Sequence, residues 1–123
     1  AVLQQIKALN MQAGLVFNPG QLVDVEPTWW PLMDMLMLMS VVPGKGGQAF
    51  MHDTLEKIRS AREQMTQARS QALLAVDGGI KVGNIEAVAA AGADYFVVGS
   101  GLFAADDYPS RVQSLRDKIA SFN

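Results

Sequence analysis

The chain has 123 residues, half of them hydrophobic, with ten basic and twelve acidic side chains and a formal net charge of −2. That length and apolar content support a single domain over residues 1–123 with a packed core. A near-neutral balance without a long run of like charges lacks the footprint of nucleic-acid binding or electrostatic membrane binding. No apolar run approaches the roughly 18–20 residues that span a bilayer, and the absence of cysteine rules out a disulfide framework or a thiolate zinc site.

In the opening segment Val2, Leu3, Ile6 and Leu9 recur at helical spacing, which predicts a helix over residues 1–10. No basic stretch leading into an apolar run occurs there, so no secretory leader is expected and the cytoplasm is the expected compartment. Ala13-Gly-Leu-Val-Phe17 reads as a short buried strand closed by the turn Asn18-Pro19-Gly20. Residues 21–33 carry Pro27 and Pro31 and predict a broken or short helix. A strand follows from Met35 to Val41, then a helix capped by Asp53 or Thr54 with Leu55, Ile58, Ala61, Met65 and Ala68 on its apolar stripe. A strand at 72–76, a helix from Ile85 to Ala91 capped by Asn84 and stopped by Gly92, and a strand at about 93–98 come next. Pro109 opens a last helix with Val112, Leu115 and Ile119 on one face. Apolar strands alternating with helices imply a parallel sheet covered by helices. A closed barrel of such units needs eight strands and about 200 residues or more, so four strands make either a small open α/β domain or half of a barrel.

Three of the strands run straight into glycines. Met35–Met39 leads to Ser40-Val-Val-Pro-Gly-Lys-Gly-Gly-Gln48, Leu73–Val76 to Asp77-Gly-Gly79, and Tyr95–Val98 to Gly99-Ser100-Gly101. Glycine loops at the C-terminal ends of parallel strands expose backbone N–H groups that can hold a phosphate, and a side chain at these positions would stand in its way. Ser100-Gly-Leu-Phe-Ala104 can supply the short extra helix that often accompanies such a phosphate site. Asp77 is the one carboxylate among the three ends, and chemistry is expected there. The methionines Met33, Met35, Met37 and Met39 alternate along a strand; the first three are assigned mainly to core packing.

Several of these segments together resemble the ribulose-phosphate 3-epimerase family. They are Ala13-Gly-Leu-Val-Phe-Asn-Pro19, Met39-Ser-Val-Val-Pro-Gly-Lys-Gly-Gly-Gln-Ala-Phe50, Val76-Asp-Gly-Gly-Ile80, Ala89-Ala-Ala-Gly-Ala-Asp94 and Val98-Gly-Ser-Gly-Leu-Phe103. The resemblance runs over essentially the whole chain, and the Pro-Gly-x-Gly-Gly-Gln-x-Phe run is its most specific part. It implies the C-terminal half of a TIM (β/α)8 barrel: four βα units plus a preceding helix, with parallel strands. It also implies that Asp77 is both a catalytic acid/base and a ligand of one divalent metal of the zinc, iron or manganese class. The other ligands, two histidines among them, and the second catalytic aspartate would lie in the half not contained here. Met39, Gly44, Lys45, Gly46, Gly47, Gly78, Gly79, Gly99 and Ser100 are then expected to contact substrate or its phosphate.

The implied reaction converts D-ribulose 5-phosphate to D-xylulose 5-phosphate by proton transfer between two carboxylates through an enediolate. The partners are a phosphorylated ketose, and a homo-oligomer or the N-terminal half-barrel. A half lacking one acid would be close to inactive by itself. Two departures from the family pattern stand in the first loop, Val42 for an asparagine and Lys45 for a phenylalanine. The single histidine, His52, matches no metal-ligand position and reads as a surface or cap residue. A non-catalytic, phosphate-binding or self-associating half-barrel, or a hexulose-6-phosphate 3-epimerase, are the alternative readings.

Overall fold

A computed structural model describes residues 1–44 and 46–122. Its elements in chain order are α1 (Val2–Ala8), β1 (Gly14–Phe17), a 3-10 segment (Pro27–Leu32), β2 (Met35–Met39), α2 (Thr54–Gln67), β3 (Leu73–Asp77), α3 (Ile85–Ala91), β4 (Tyr95–Val97), α4 (Ser100–Phe103) and α5 (Tyr108–Ile119), closed by a 3-10 turn at Ala120–Phe122. The four strands form one parallel sheet in the order β1-β2-β3-β4. The expected alternation of elements is therefore present, with β2 and β4 two or three residues shorter than the strands expected at Met35–Val41 and about 93–98.

The register sorts the side chains into two faces, because successive residues of a strand point to opposite sides. Leu15, Leu36 and Leu74 form one row, and Phe17, Leu38, Val76 and Phe96 another, on the side the helices cover. There they join Ile58, Ala61 and Met65 of α2, Ile85 and Val88 of α3 and Leu115 of α5 in one core. Helix α3 packs between α2 and α5. The opposite face carries Gly14, Val16, Met35, Met37, Leu73, Ala75 and Tyr95, and no element among the described residues covers it: Val16 is 57% exposed and Tyr95 46%. Met33 lies in the core as expected, whereas Met35 and Met37 stand half-buried on the uncovered face. The period-two spacing gave them one face but not which side the helices would cover.

Local chemistry differs from expectation at several helix ends. Asp53 occupies the N-cap position of α2, yet neither it nor Thr54 caps the helix with a side chain; backbone carbonyls of Met51 and His52 receive the first N–H groups. Ala68 is exposed beyond the end of the helix rather than in its stripe. Asn84 does not cap α3 either: its amide oxygen accepts from the Lys81 N–H at 2.8 Å and its nitrogen donates to the Gly79 carbonyl at 2.9 Å, bracing the turn before the helix. Asp107 is the side-chain cap at the start of α5, accepting from the Ser110 N–H at 3.5 Å and also from the Ser110 hydroxyl at 2.7 Å. Pro27 and Pro31 leave only a 3-10 turn, Pro27–Leu32, within residues 21–33, and Lys57 and Gln64 of α2 hold the loop before it by donating to the Pro19 and Val23 carbonyls.

Two aspartates tie the strand beginnings. The Asp34 carboxylate accepts from the Ala13 N–H and from Lys7 Nζ, both at 2.8 Å. That of Asp94 accepts from the Leu74 N–H at 3.0 Å and from Arg62 at 2.5 Å. Each stands just before one strand and ties it to the start of the neighbouring strand and to a helix, at the end of the sheet opposite the glycine loops.

Candidate active site

The three glycine ends meet at one place. Met39, Asp77 and Val97 are register partners across β2, β3 and β4, so their side chains leave the same, helix-free face at the C-terminal edge of the sheet. Beyond them the chain opens into loops that enclose a pocket of about 250 Å³. Nine of the ten expected site residues line it: Met39, Gly44, Gly46, Gly47, Asp77, Gly78, Gly79, Gly99 and Ser100. Lys45 lies outside the described residues. The expected short helix is present as α4, opening at Ser100.

The close packing of the loops explains two of the glycines. Gly78 has φ +129°, and a Cβ there would come within 2.6 Å of Val41 Cγ2 and 2.9 Å of the Val41 nitrogen. Gly79 has φ +68°, and its Cβ would press on the Phe50 backbone nitrogen and lie 2.8 Å from Phe50 Cα. Both conformations are ones L-residues adopt at a cost, and neither site has room for a side chain. The loop after β3 and the loop after β2 are thus in backbone contact. Gln48 closes the latter, its amide donating to the Val42 carbonyl at 2.7 Å.

Asp77 is half-buried, and no hydrogen bond or ion pair among the described residues engages its carboxylate. A carboxylate left unpaired in a pocket of backbone amides is free to exchange protons with a bound molecule. The pocket also takes in Val41, Ile80, Gln48 and Val97, which the sequence reading did not single out. Gln48 was visible inside the quoted loop run; Val97 needed the register to place it beside Asp77. His52 is exposed, edge-on to Phe50 at 5.3 Å between ring centres, and does not line the pocket. Among the described residues no three His, Cys, Asp or Glu side chains gather in a way that could hold a metal ion. A wider groove of about 1010 Å³ opens at the other end of the sheet, beside Trp30, Asp34 and Leu73, and is remote from the glycine loops.

Parallel βα units that gather glycine loops and a carboxylate at the C-terminal strand ends define the class: half of a (β/α) barrel, a fold whose sites lie at that face. The chain belongs to the ribulose-phosphate 3 epimerase family, whose model matches residues 1–103. It is 43% identical over 118 residues to the ribulose-phosphate 3-epimerase of Escherichia coli (strain K12), an alignment covering 96% of this chain and 52% of that protein. With the Serratia marcescens protein of the same name it shares 46% identity over 106 residues, 86% of this chain and 50% of that one. The chain spans about half the length of the curated relatives it matches. A solved structure of 3-hexulose-6-phosphate synthase from Salmonella typhimurium superposes with a TM-score of 0.59 at 21% identity, over 98% of this chain and 55% of that one. The Amycolatopsis orientalis BexX/CysO complex gives 0.63 at 17% identity, over 98% and 46%. These two likenesses establish the fold. Among the described residues no helix is long and apolar enough to cross a membrane.

Proposed function

We propose that residues 1–123 form one unit, the C-terminal half of a ribulose-phosphate 3-epimerase, which holds the sugar phosphate and supplies one of the two acids of the reaction. The observation that carries this reading is the single pocket that joins the unpaired Asp77 to the glycine loops after β2, β3 and β4. Backbone N–H groups of Gly78, Gly79, Gly99 and Ser100, with those of Gly44, Gly46 and Gly47, surround the phosphate of D-ribulose 5-phosphate and fix the register of the sugar chain. Met39 and Val97 flank Asp77 with apolar surface, which limits water near the reacting carbon. The Asp77 carboxylate exchanges the proton on C3, next to the ketone. Removal of that proton leaves an enediolate, and return of a proton to the opposite face by a second acid gives D-xylulose 5-phosphate. Positioned proton transfer of this sort is worth roughly 10² to 10⁴ in rate.

The second acid must come from the half that covers the open face of the sheet. The same holds for a divalent metal. Asp77 can give one ligand, but the described residues do not assemble a metal centre. The uncovered face and the two open edge strands favour a completing N-terminal half-barrel, or, where that half is absent, a second copy of the chain. The test is completion: the chain is co-expressed with the N-terminal half of the 43%-identical relative, and xylulose 5-phosphate formation is followed. The proposal expects activity in the assembled pair, about 10² or more above that in an Asp77→Asn pair, and none from the chain alone. A stable assembled pair with no activity would overturn it.

A further inference from the structure

Directly beneath the pocket, outside its lining, lies the Ser40 hydroxyl. Ser40 is completely buried, and with Thr54 it is one of two polar residues so buried among the described residues. A serine at the end of an apolar strand is costly to bury unless its polar atoms find partners. All of them do. The Ser40 N–H donates to the Asp77 carbonyl at 2.9 Å, and its own carbonyl accepts from the Met51 N–H at 2.9 Å, where the first glycine loop returns. Its hydroxyl lies 2.5 Å from the Gly78 carbonyl and 3.1 Å from that of Asp77, so one proton serves two successive carbonyls.

These contacts sit where the sheet stops. Met39 and Asp77 are the last registered pair of β2 and β3, and beyond Asp77 the chain turns sharply through Gly78 at φ +129°. The direction in which Asp77 presents its carboxylate is therefore set on one side by the ladder and on the other by Ser40. Ser40 does not line the pocket, so it acts through Asp77 and not on a ligand. We infer that Ser40 is a positioning residue: by holding the carbonyls of Asp77 and Gly78 it fixes the carboxylate of the proposed acid/base and the first amide of the phosphate loop. This role rests on the epimerase reading.

Two measurements on Ser40→Ala test it, with Ser40→Cys, which keeps the volume and a weak donor, as the second variant if alanine prevents folding. In the 123-residue chain, NMR amide exchange at position 40 and at Met51 should quicken about tenfold, the equivalent of about 1.4 kcal/mol, while the amides of Leu74 and Val76 keep their rates. In the completed enzyme kcat should fall about tenfold or more with KM changed less than about threefold, since a displaced acid costs more in the transition state than in the bound substrate. Uniformly faster exchange along the sheet would make Ser40 a prop of the fold alone and overturn the inference. So would an unchanged kcat in the variant when the completed wild type is active. A completed wild type without activity would instead bring down the epimerase reading, and the positioning role with it.

Discussion

Gly79→Ala should be among the most damaging single-methyl additions at the pocket. The backbone at position 79 sits at φ +68°, and holding an L-residue in that region costs about 1–2 kcal/mol. The added Cβ would also press on the Phe50 nitrogen and stand 2.8 Å from Phe50 Cα. Both are backbone atoms that cannot rotate aside, and forced overpacking of this kind costs about 1–3 kcal/mol. The sum is about 2–5 kcal/mol, and relief requires the loop after β2 to move off the loop after β3, which dismantles the pocket. Urea unfolding followed by the fluorescence of Trp29 and Trp30 reads the cost, with Gly83→Ala as the control. Nothing lies within 4 Å of a Cβ at position 83, so that variant should fall within about 0.5 kcal/mol of the parent. A Gly79→Ala variant as stable as Gly83→Ala, with an unchanged denaturant slope, would refute the account of the loop contact.

Other outcomes follow from the core and the strand beginnings. Ile58 on α2 is fully buried in the core, so Ile58→Ala should cost about 2–5 kcal/mol in the same unfolding measurement. Asp94→Ala removes the acceptor of the Leu74 N–H, and Leu74 is fully buried; a loss of about 1–3 kcal/mol is expected, against at most about 1 kcal/mol for the charge contribution lost in Arg62→Met. The Lys7 ammonium and the Ala13 N–H hold the Asp34 carboxyl below its ordinary 3.8. Its contribution is therefore complete above that value and is lost as the pH falls through the lowered one, so an acid titration of stability should show a steeper loss below pH 3.8 in the parent than in Asp34→Asn. Val16→Lys, on the uncovered face, should leave the chain's own stability within about 0.5 kcal/mol and weaken its assembly with the completing half, as read by native mass spectrometry.

Much of the architecture was legible because it rests on patterns with a direct physical cause. Apolar strands separated by helical stripes dictate a parallel sheet, and Gly92 and Pro109 stand where the structure places the end of α3 and the start of α5. The glycine-ended strands pointed to the pocket because short backbone approach needs residues without a Cβ, and the contacts of Gly78 and Gly79 show that need. What could not be read depends on contacts distant in sequence. The role of Ser40 requires β3 to lie beside β2, and the placement of Val97 beside Asp77 requires the register of β4. Met35 and Met37 share the spacing of a core stripe, and only the side chosen by α2 and α3 decides that they stay uncovered. Asn84 had the composition of a cap but found better partners in the Lys81 N–H and the Gly79 carbonyl.

The central claim is that the Asp77 carboxylate moves the proton on C3 of a ketose 5-phosphate. The direct measurement is exchange of that proton with deuterium from solvent, followed by ¹H NMR with ribulose 5-phosphate in D₂O and the barrel completed by its N-terminal half. The account predicts wash-out of the C3 signal in the parent and a rate reduced about 10²-fold or more in Asp77→Asn, with assembly of the two halves unchanged. Exchange in Asp77→Asn as fast as in the parent would contradict it.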